Sequence, residues 1–157
     1  FLNEVSIIIL NNGGMIDKFM GDCVMGIFGA PLDMKNHAEM AIKSAKEIEE
    51  KIKELKKLYK ERGLPDINVG TGVNTGTAVV GNMGSKTRLD YSVVGDAVNL
   101  AARLEATAGR HEHIENKTIW SSHTQEQLPD TFKTKSIGDI KVKGKEELIK
   151  IFTFQST

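Results

Sequence analysis

Arg88-Leu-Asp-Tyr-Ser-Val-Val-Gly-Asp-Ala-Val-Asn-Leu-Ala-Ala-Arg-Leu-Glu105 changes character at a single glycine. Ahead of Gly95, Leu89 to Val94 has the β-branched and aromatic content of a strand, and behind it the chain reads as a helix to about Ala106. Asp96 is placed to act as the N-cap of that helix, where its side chain accepts a backbone N–H and its charge suits the dipole. Working upstream, Thr77 to Val80, a Gly-rich turn over Gly81 to Ser85, and Leu89 to Val94 read as a hairpin. Ile67, Val69, Thr71 and Val73 alternate in the period of another strand. Gly63 and Pro65 close a long helix from about Asn36 to Arg62, where Ala41, Ala45, Ile48, Ile52, Leu55 and Tyr59 recur at helical spacing between Lys and Glu residues. Packing of that apolar stripe on the domain's own sheet is preferred to a coiled coil. Met15 to Met20 and Cys23 to Phe28 form two strands joined at Gly21-Asp22, and an opening helix (Phe1, Leu2, Val5, Ile8, Ile9) stops at Asn11-Asn12-Gly13-Gly14. Downstream, a short strand near His113, a helix from about Thr118 to Gln127, and closing strands at Phe132 to Ile137 and Leu148 to Phe154 complete the reading. The sum is one α/β domain of the α+β kind. Its sheet is mainly antiparallel, because strand pairs are joined by turns too short for parallel crossovers.

Composition narrows the function classes. The 157 residues carry 21 Lys+Arg against 21 Asp+Glu, a formal net charge of zero, which offers no footprint for nucleic acid or an anionic membrane. The apolar stretch from Val5 to Leu10 is far short of a transmembrane helix, and no basic region precedes it as in a signal peptide. A soluble, cytoplasmic segment is expected. The lone Cys23 cannot form an internal disulfide and fits a reducing compartment.

The common nucleotide loops are rejected by spacing. Gly138 to Lys145 has one residue too many for a phosphate loop, and Glu146 stands where a Ser or Thr should meet magnesium. Gly70, Gly72, Gly76 and Gly81 do not space as a dinucleotide fingerprint and read as hairpin glycines. His37, His111, His113 and His123 lack metal-ligand partners and read as surface residues. No serine sits in a nucleophile elbow. Asp22 is different: a carboxylate at the tip of a tight strand pair projects from rigid backbone, where a hard divalent cation could bind. Taken singly, Gly-Asp is also a common turn, Lys18 a strand-surface lysine, and Asn99 with Arg103 a solvated pair sharing one helix face.

Taken together, Gly14-Met-Ile-Asp-Lys-Phe-Met-Gly-Asp-Cys-Val-Met-Gly-Ile-Phe-Gly-Ala-Pro31 and the Arg88 to Glu105 stretch closely resemble the catalytic domain of class III nucleotidyl cyclases. Val73-Asn-Thr-Gly-Thr-Ala-Val-Val-Gly-Asn-Met-Gly84 and Val142-Lys-Gly-Lys145 extend the resemblance over residues 1–157. It implies a ferredoxin-like βαββαβ palm with extra strands, of which the first is missing here. It also implies a head-to-tail homodimer with active sites at the interface, ATP as substrate, and two Mg²⁺ or Mn²⁺ ions that activate the ribose 3′-hydroxyl for attack on the α-phosphorus. By resemblance Asp22 is one of two metal-binding aspartates, Asn99 orients the ribose, Arg103 stabilises charge on the α-phosphate, and Lys143 contacts the terminal phosphates. Lys18 matches the adenine-reading lysine, where guanylyl cyclases usually carry Glu. Ser92 stands where many adenylyl cyclases have Asp and a bicarbonate-responsive subgroup has Thr; its hydroxyl can still exchange a hydrogen bond with adenine. Bicarbonate is therefore an implied effector.

The chain departs from the pattern at its start. Phe1 enters an apolar helical pattern with no cap ahead of it, and the first strand with its metal aspartate is not in the sequence. The expectation is an N-terminally truncated domain, impaired alone because one carboxylate holds two like-charged ions poorly. Two alternatives stand beside an adenylyl cyclase: a noncatalytic regulatory or dimerisation domain, and a guanylyl cyclase. The Gly-Gly-Asp/Glu-Glu-Phe signature of diguanylate cyclases is absent.

Overall fold

A computed structural model describes residues 1–110, 117–141 and 146–156. Among them, β3 (Thr71–Val73), β6 (Thr118–Ser121), β8 (Leu148–Phe154) and β7 (Thr134–Lys141) form a four-stranded sheet in the order β3-β6-β8-β7. Two separate two-stranded ribbons lie beside it: β1 (Met15–Met20) with β2 (Cys23–Ile27), and β4 (Val79–Ser85) with β5 (Arg88–Val94). The helices are α1 (Leu2–Asn11), α2 (His37–Glu61), α3 (Asp96–Arg110) and the short α4 (Ser122–Gln125). The α+β class with predominantly antiparallel pairing holds, with one exception: β3 and β6 run parallel. The chain between them contains the β4–β5 ribbon and α3, so the crossover that short turns could not supply is made by a long excursion.

The core forms where apolar stripes meet. The α2 stripe of Ile42, Ala45, Ile48 and Ile52 is buried against the domain's own elements. Its C-terminal half packs on Val5 and Ile9 of α1, with Ile16, Val24 and Phe28 closing the cluster. Its N-terminal half meets the fully buried Trp120 and Phe154, whose rings lie edge to face at 4.8 Å. Trp120 keeps its polar end satisfied by donating from Nε1 to Gln125 Oε1 at 2.7 Å. A third cluster joins Leu100, Leu104 and Ala108 of α3 to Ile119, Ile149 and Ile151 of the sheet. These residues are four apart on α3, so their burial turns the face bearing Asn99 and Arg103 outward.

Several boundaries move from the sequence reading. The ladder of β4 and β5 runs through Gly81 and Gly84 to the pair Ser85↔Arg88, so the turn lies at Lys86-Thr87 and not over Gly81 to Ser85. The segment from Thr118 to Gln127 is a fully buried strand followed by a one-turn helix, not one helix. The strand assigned to Ile67 to Val73 begins only at Thr71, and the strand assigned to Phe132 to Ile137 is Thr134 to Lys141. The strand expected near His113 lies outside the described residues. Gly70 and Gly72 are not hairpin glycines: a Cβ at Gly72 would strike the backbone of Ala101 and Glu105, and one at Gly70 that of Glu105 and Gly109. Bare backbone on β3 is what lets α3 seat directly upon it.

Candidate active site

The β1–β2 ribbon turns over two residues, Gly21 and Asp22, between the closing pair Met20↔Cys23. Gly21 takes φ +62°, the left-handed value that a tight hairpin demands at its first central position. Asp22 is thereby held exposed at the tip. Beside it, burial pushes the Cys23 thiol up, with Glu105 and Asp22 adding to the shift, so the sulfur is kept protonated and is a poor nucleophile.

Lower on the same strand the ladder is broken. Ile16 pairs with Gly26 and Lys18 with Met25, which leaves Asp17 as the extra residue of a β-bulge. The bulge turns the Asp17 side chain inward toward β5, which lies against β1. There Ser92 donates its hydroxyl to Asp17 Oδ2 at 3.2 Å, and Lys18 Nζ lies 3.5 Å from the same oxygen. The Asp17 side chain is completely shielded from solvent, whereas Lys18 remains 46 % exposed. Asp17 Oδ1 is buried and makes no hydrogen bond. Lys18 and Ser92, 74 positions apart in sequence, are thus brought to one corner. Asp17, which joins them, was not singled out in the sequence: it reads there as one more strand residue, and neither the bulge nor its partner on β5 leaves a local signal.

Asn99 and Arg103 stand one helical turn apart on the exposed face of α3. The Gly95 carbonyl accepts from Asn99 N at 3.2 Å and from Val98 N at 3.1 Å, so Gly95 is the cap and Asp96 the first helical residue, not the cap itself. Asp96 still places a carboxylate in the first turn, where the dipole favours it. The start of α3 is pinned from below: Asn74 Nδ2 donates to Ala97 O at 2.9 Å, and Ser121 Oγ donates to Asn74 Oδ1 at 2.6 Å. These bonds carry the position of β3 and β6 into the first turn of α3 and hence into Asn99. Lys143 lies outside the described residues.

The donor set for a metal is incomplete. Asp22 is one exposed carboxylate, and among the described residues no group of three His, Cys, Asp or Glu could hold an ion. A pair of divalent cations needs several carboxylates for charge compensation. The described residues therefore do not by themselves fit a two-ion centre.

The family model described as the adenylate and guanylate cyclase catalytic domain matches residues 12–155. Adenylate cyclase 1 of Rhizobium meliloti is 34 % identical over 152 residues, covering 97 % of this chain and 22 % of that protein. The chain thus spans about a fifth of that relative's length. Among solved structures, the adenylyl cyclase CyaB from P. aeruginosa superposes with TM-score 0.88 at 35 % identity, covering 99 % of this chain and 79 % of that one. The guanylyl cyclase Cya2 follows the same fold with TM-score 0.81 at 32 % identity, covering 96 % and 74 %. No helix among the described residues is long and apolar enough to cross a membrane.

Proposed function

This chain belongs to the adenylate and guanylate cyclase catalytic domain family, and we propose that it is an adenylyl cyclase domain converting ATP to 3′,5′-cyclic AMP and pyrophosphate. The observation that carries the choice of ATP is the meeting of Lys18 and Ser92 on one corner. An ammonium and a hydroxyl side by side suit the acceptor N1 and the donor 6-amino group of adenine. In the reaction the ribose 3′-oxygen bonds to the α-phosphorus, its proton is lost, and the bond to the β-phosphate oxygen breaks to release pyrophosphate. Arg103 would spread its guanidinium charge against the negative charge that gathers on the α-phosphate oxygens. Asn99, one turn earlier, would hold the ribose, and Lys143 the terminal phosphates. Asp22 would be one ligand of the Mg²⁺ or Mn²⁺ pair that the family's chemistry implies. A further carboxylate is required to complete that pair.

A homodimer is part of the same proposal. Phe19 (55 % exposed) and Met20 on β1, with Val79 (67 % exposed), Val80 and Val94 on the β4–β5 ribbon, leave apolar surface uncovered on both ribbons. A second copy that covered these ribbons would bring another chain's residues up to them. The cellular setting we propose is the cytoplasm, and the hydroxyl of Ser92, where the bicarbonate-responsive subgroup has Thr, makes bicarbonate a proposed effector, checked by adding bicarbonate to the assay.

Two other readings are kept by particular observations. The likeness to Cya2 favours a guanylyl cyclase, and the lack of a three-ligand metal group among the described residues favours a noncatalytic pairing domain. The test is formation of cyclic nucleotide from ATP and from GTP with Mn²⁺, on the full-length protein and on residues 1–157 alone. Cyclic AMP from the full-length protein, with little from the shorter piece, is the expected result. Cyclic GMP as the main product replaces the proposal with the first alternative. No product from a folded, dimeric full-length protein replaces it with the second.

A further inference from the structure

We propose that Asp17 sets the base selectivity of this corner by fixing the direction of the Ser92 hydroxyl proton, so that Ser92 offers a bound purine an acceptor and no donor. The inference rests on the cyclase reading and deepens it, because it concerns a residue which that reading does not use.

A serine hydroxyl has one proton and two lone pairs, and on its own it satisfies a donor or an acceptor equally well. A serine at a base-reading position therefore does not by itself discriminate between a 6-amino and a 6-oxo purine. In this chain the proton is committed. It is donated to Asp17 Oδ2 at 3.2 Å, and a carboxylate can only accept. What Ser92 has left for a ligand is its lone pairs. Lys18 Nζ, 3.5 Å from the same carboxylate oxygen, supplies donors only. The corner then presents one donor beside one acceptor. Adenine offers the complement, an acceptor at N1 and a donor at its 6-amino group. Guanine offers the reverse, N1–H and O6, and would leave an acceptor facing an acceptor and a donor facing a donor.

Two features argue that Asp17 is kept for this purpose and not for stability. Its side chain is wholly shielded, yet Oδ1 makes no hydrogen bond, an arrangement that costs stability wherever it serves only packing. It also occupies the one position in β1 where the ladder is broken, and the bulge is what directs the carboxylate toward Ser92. Asp17 is a positioning residue: it acts on the base through Ser92.

The experiment measures kcat/KM for ATP and for GTP on one preparation of the full-length protein, so that the ratio does not depend on how much of it is folded. Asp17→Asn keeps the shape of the buried side chain but can donate to Ser92 Oγ, freeing the hydroxyl proton to point at O6 of guanine. The ATP preference should fall about tenfold, the worth of one hydrogen bond. Asp17→Ala should move it in the same direction by less. In a Ser92→Ala background neither change should shift the ratio by more than about twofold, because the group through which Asp17 acts is gone. Where a variant turns over too slowly, displacement of a fluorescent methylanthraniloyl nucleotide by ATP and by GTP reads the same ratio without catalysis. An unchanged ratio in both Asp17 variants overturns the proposal. So does a shift that persists without the Ser92 hydroxyl, since it then runs through Lys18. A wild-type protein that makes no cyclic nucleotide and prefers neither base brings down the cyclase reading itself, an outcome distinct from either of these.

Discussion

The corner between β1 and β5 and the outer face of α3 carry the candidate site in opposite ways. At the corner, Lys18 and Ser92 end on a shared, shielded carboxylate, and their geometry is set inside one chain. On α3, Asn99 and Arg103 stand exposed above a buried row of Leu100, Leu104 and Ala108, and the chain fixes where their backbone is but not where their side chains end. On the proposed reading, base recognition would be preorganised at the corner, while the residues proposed to meet the phosphate charge are displayed for a partner or a substrate to complete. A contact to the base, made alike in ground and transition states, expresses itself in selectivity, and a contact to charge that develops at the α-phosphate expresses itself in turnover.

Arg103→Ala is the sharpest way to break that contrast. If the guanidinium acts on charge that appears only in the transition state, kcat in the full-length protein should fall by about 10²- to 10³-fold while KM for ATP changes little. Steady-state kinetics decide it. Equal losses in kcat/KM and in ATP binding would mean that the α3 face also holds the ground state. Lys18→Glu tests the other side. The ATP-to-GTP ratio of kcat/KM should drop by roughly 10- to 100-fold, in the range of losing or reversing a single recognition contact. Glu beside the Asp17 carboxylate adds like-charge repulsion, so Lys18→Met serves as the neutral companion. Selectivity unchanged in both would remove Lys18 from base reading.

How much of this was legible in the sequence depends on the range of the interaction. Local signals held: the α2 stripe ends within a residue of the Asn36 to Arg62 reading, and the β1–β2 turn falls at Gly21-Asp22 as expected. Local signals also misled. Gly81 and Gly84 looked like a turn, but a ribbon ladder tolerates them, and the reversal lies at Lys86-Thr87. Thr118 to Ser121 is buried at every position, and such a run has no alternation to separate strand from helix. The site shows the same division. Asp22, Lys18, Ser92, Asn99 and Arg103 are candidates because their motifs resemble a family. Asp17 was missed because its meaning lies in a bulge and in a hydroxyl 75 residues away. The seat of α3 on Gly70 and Gly72 was likewise invisible until the two backbones met.

Glu49 offers the smallest effect and the control for the rest. It lies on α2 beneath β6, where burial pushes its carboxyl above the ordinary value near 4.5, the Thr118 hydroxyl and Lys53 only partly offsetting it. A carboxyl whose pKa is raised on folding binds its proton more tightly in the folded state, so the protein loses stability as pH rises from the ordinary value through the raised one. Glu49→Gln removes that loss. The variant should melt slightly higher than wild type at neutral pH, and the gain should vanish as pH falls below 4.5, where Glu49 becomes protonated in both states. Thermal melting across that range checks the sign, and a variant less stable at neutral pH would show that the charged form is favoured in place. The same variant should leave both the ATP-to-GTP ratio and kcat unchanged. If the ratio moves, selectivity depends on the packing of α2 under the main sheet, and the corner between β1 and β5 does not act as a local device.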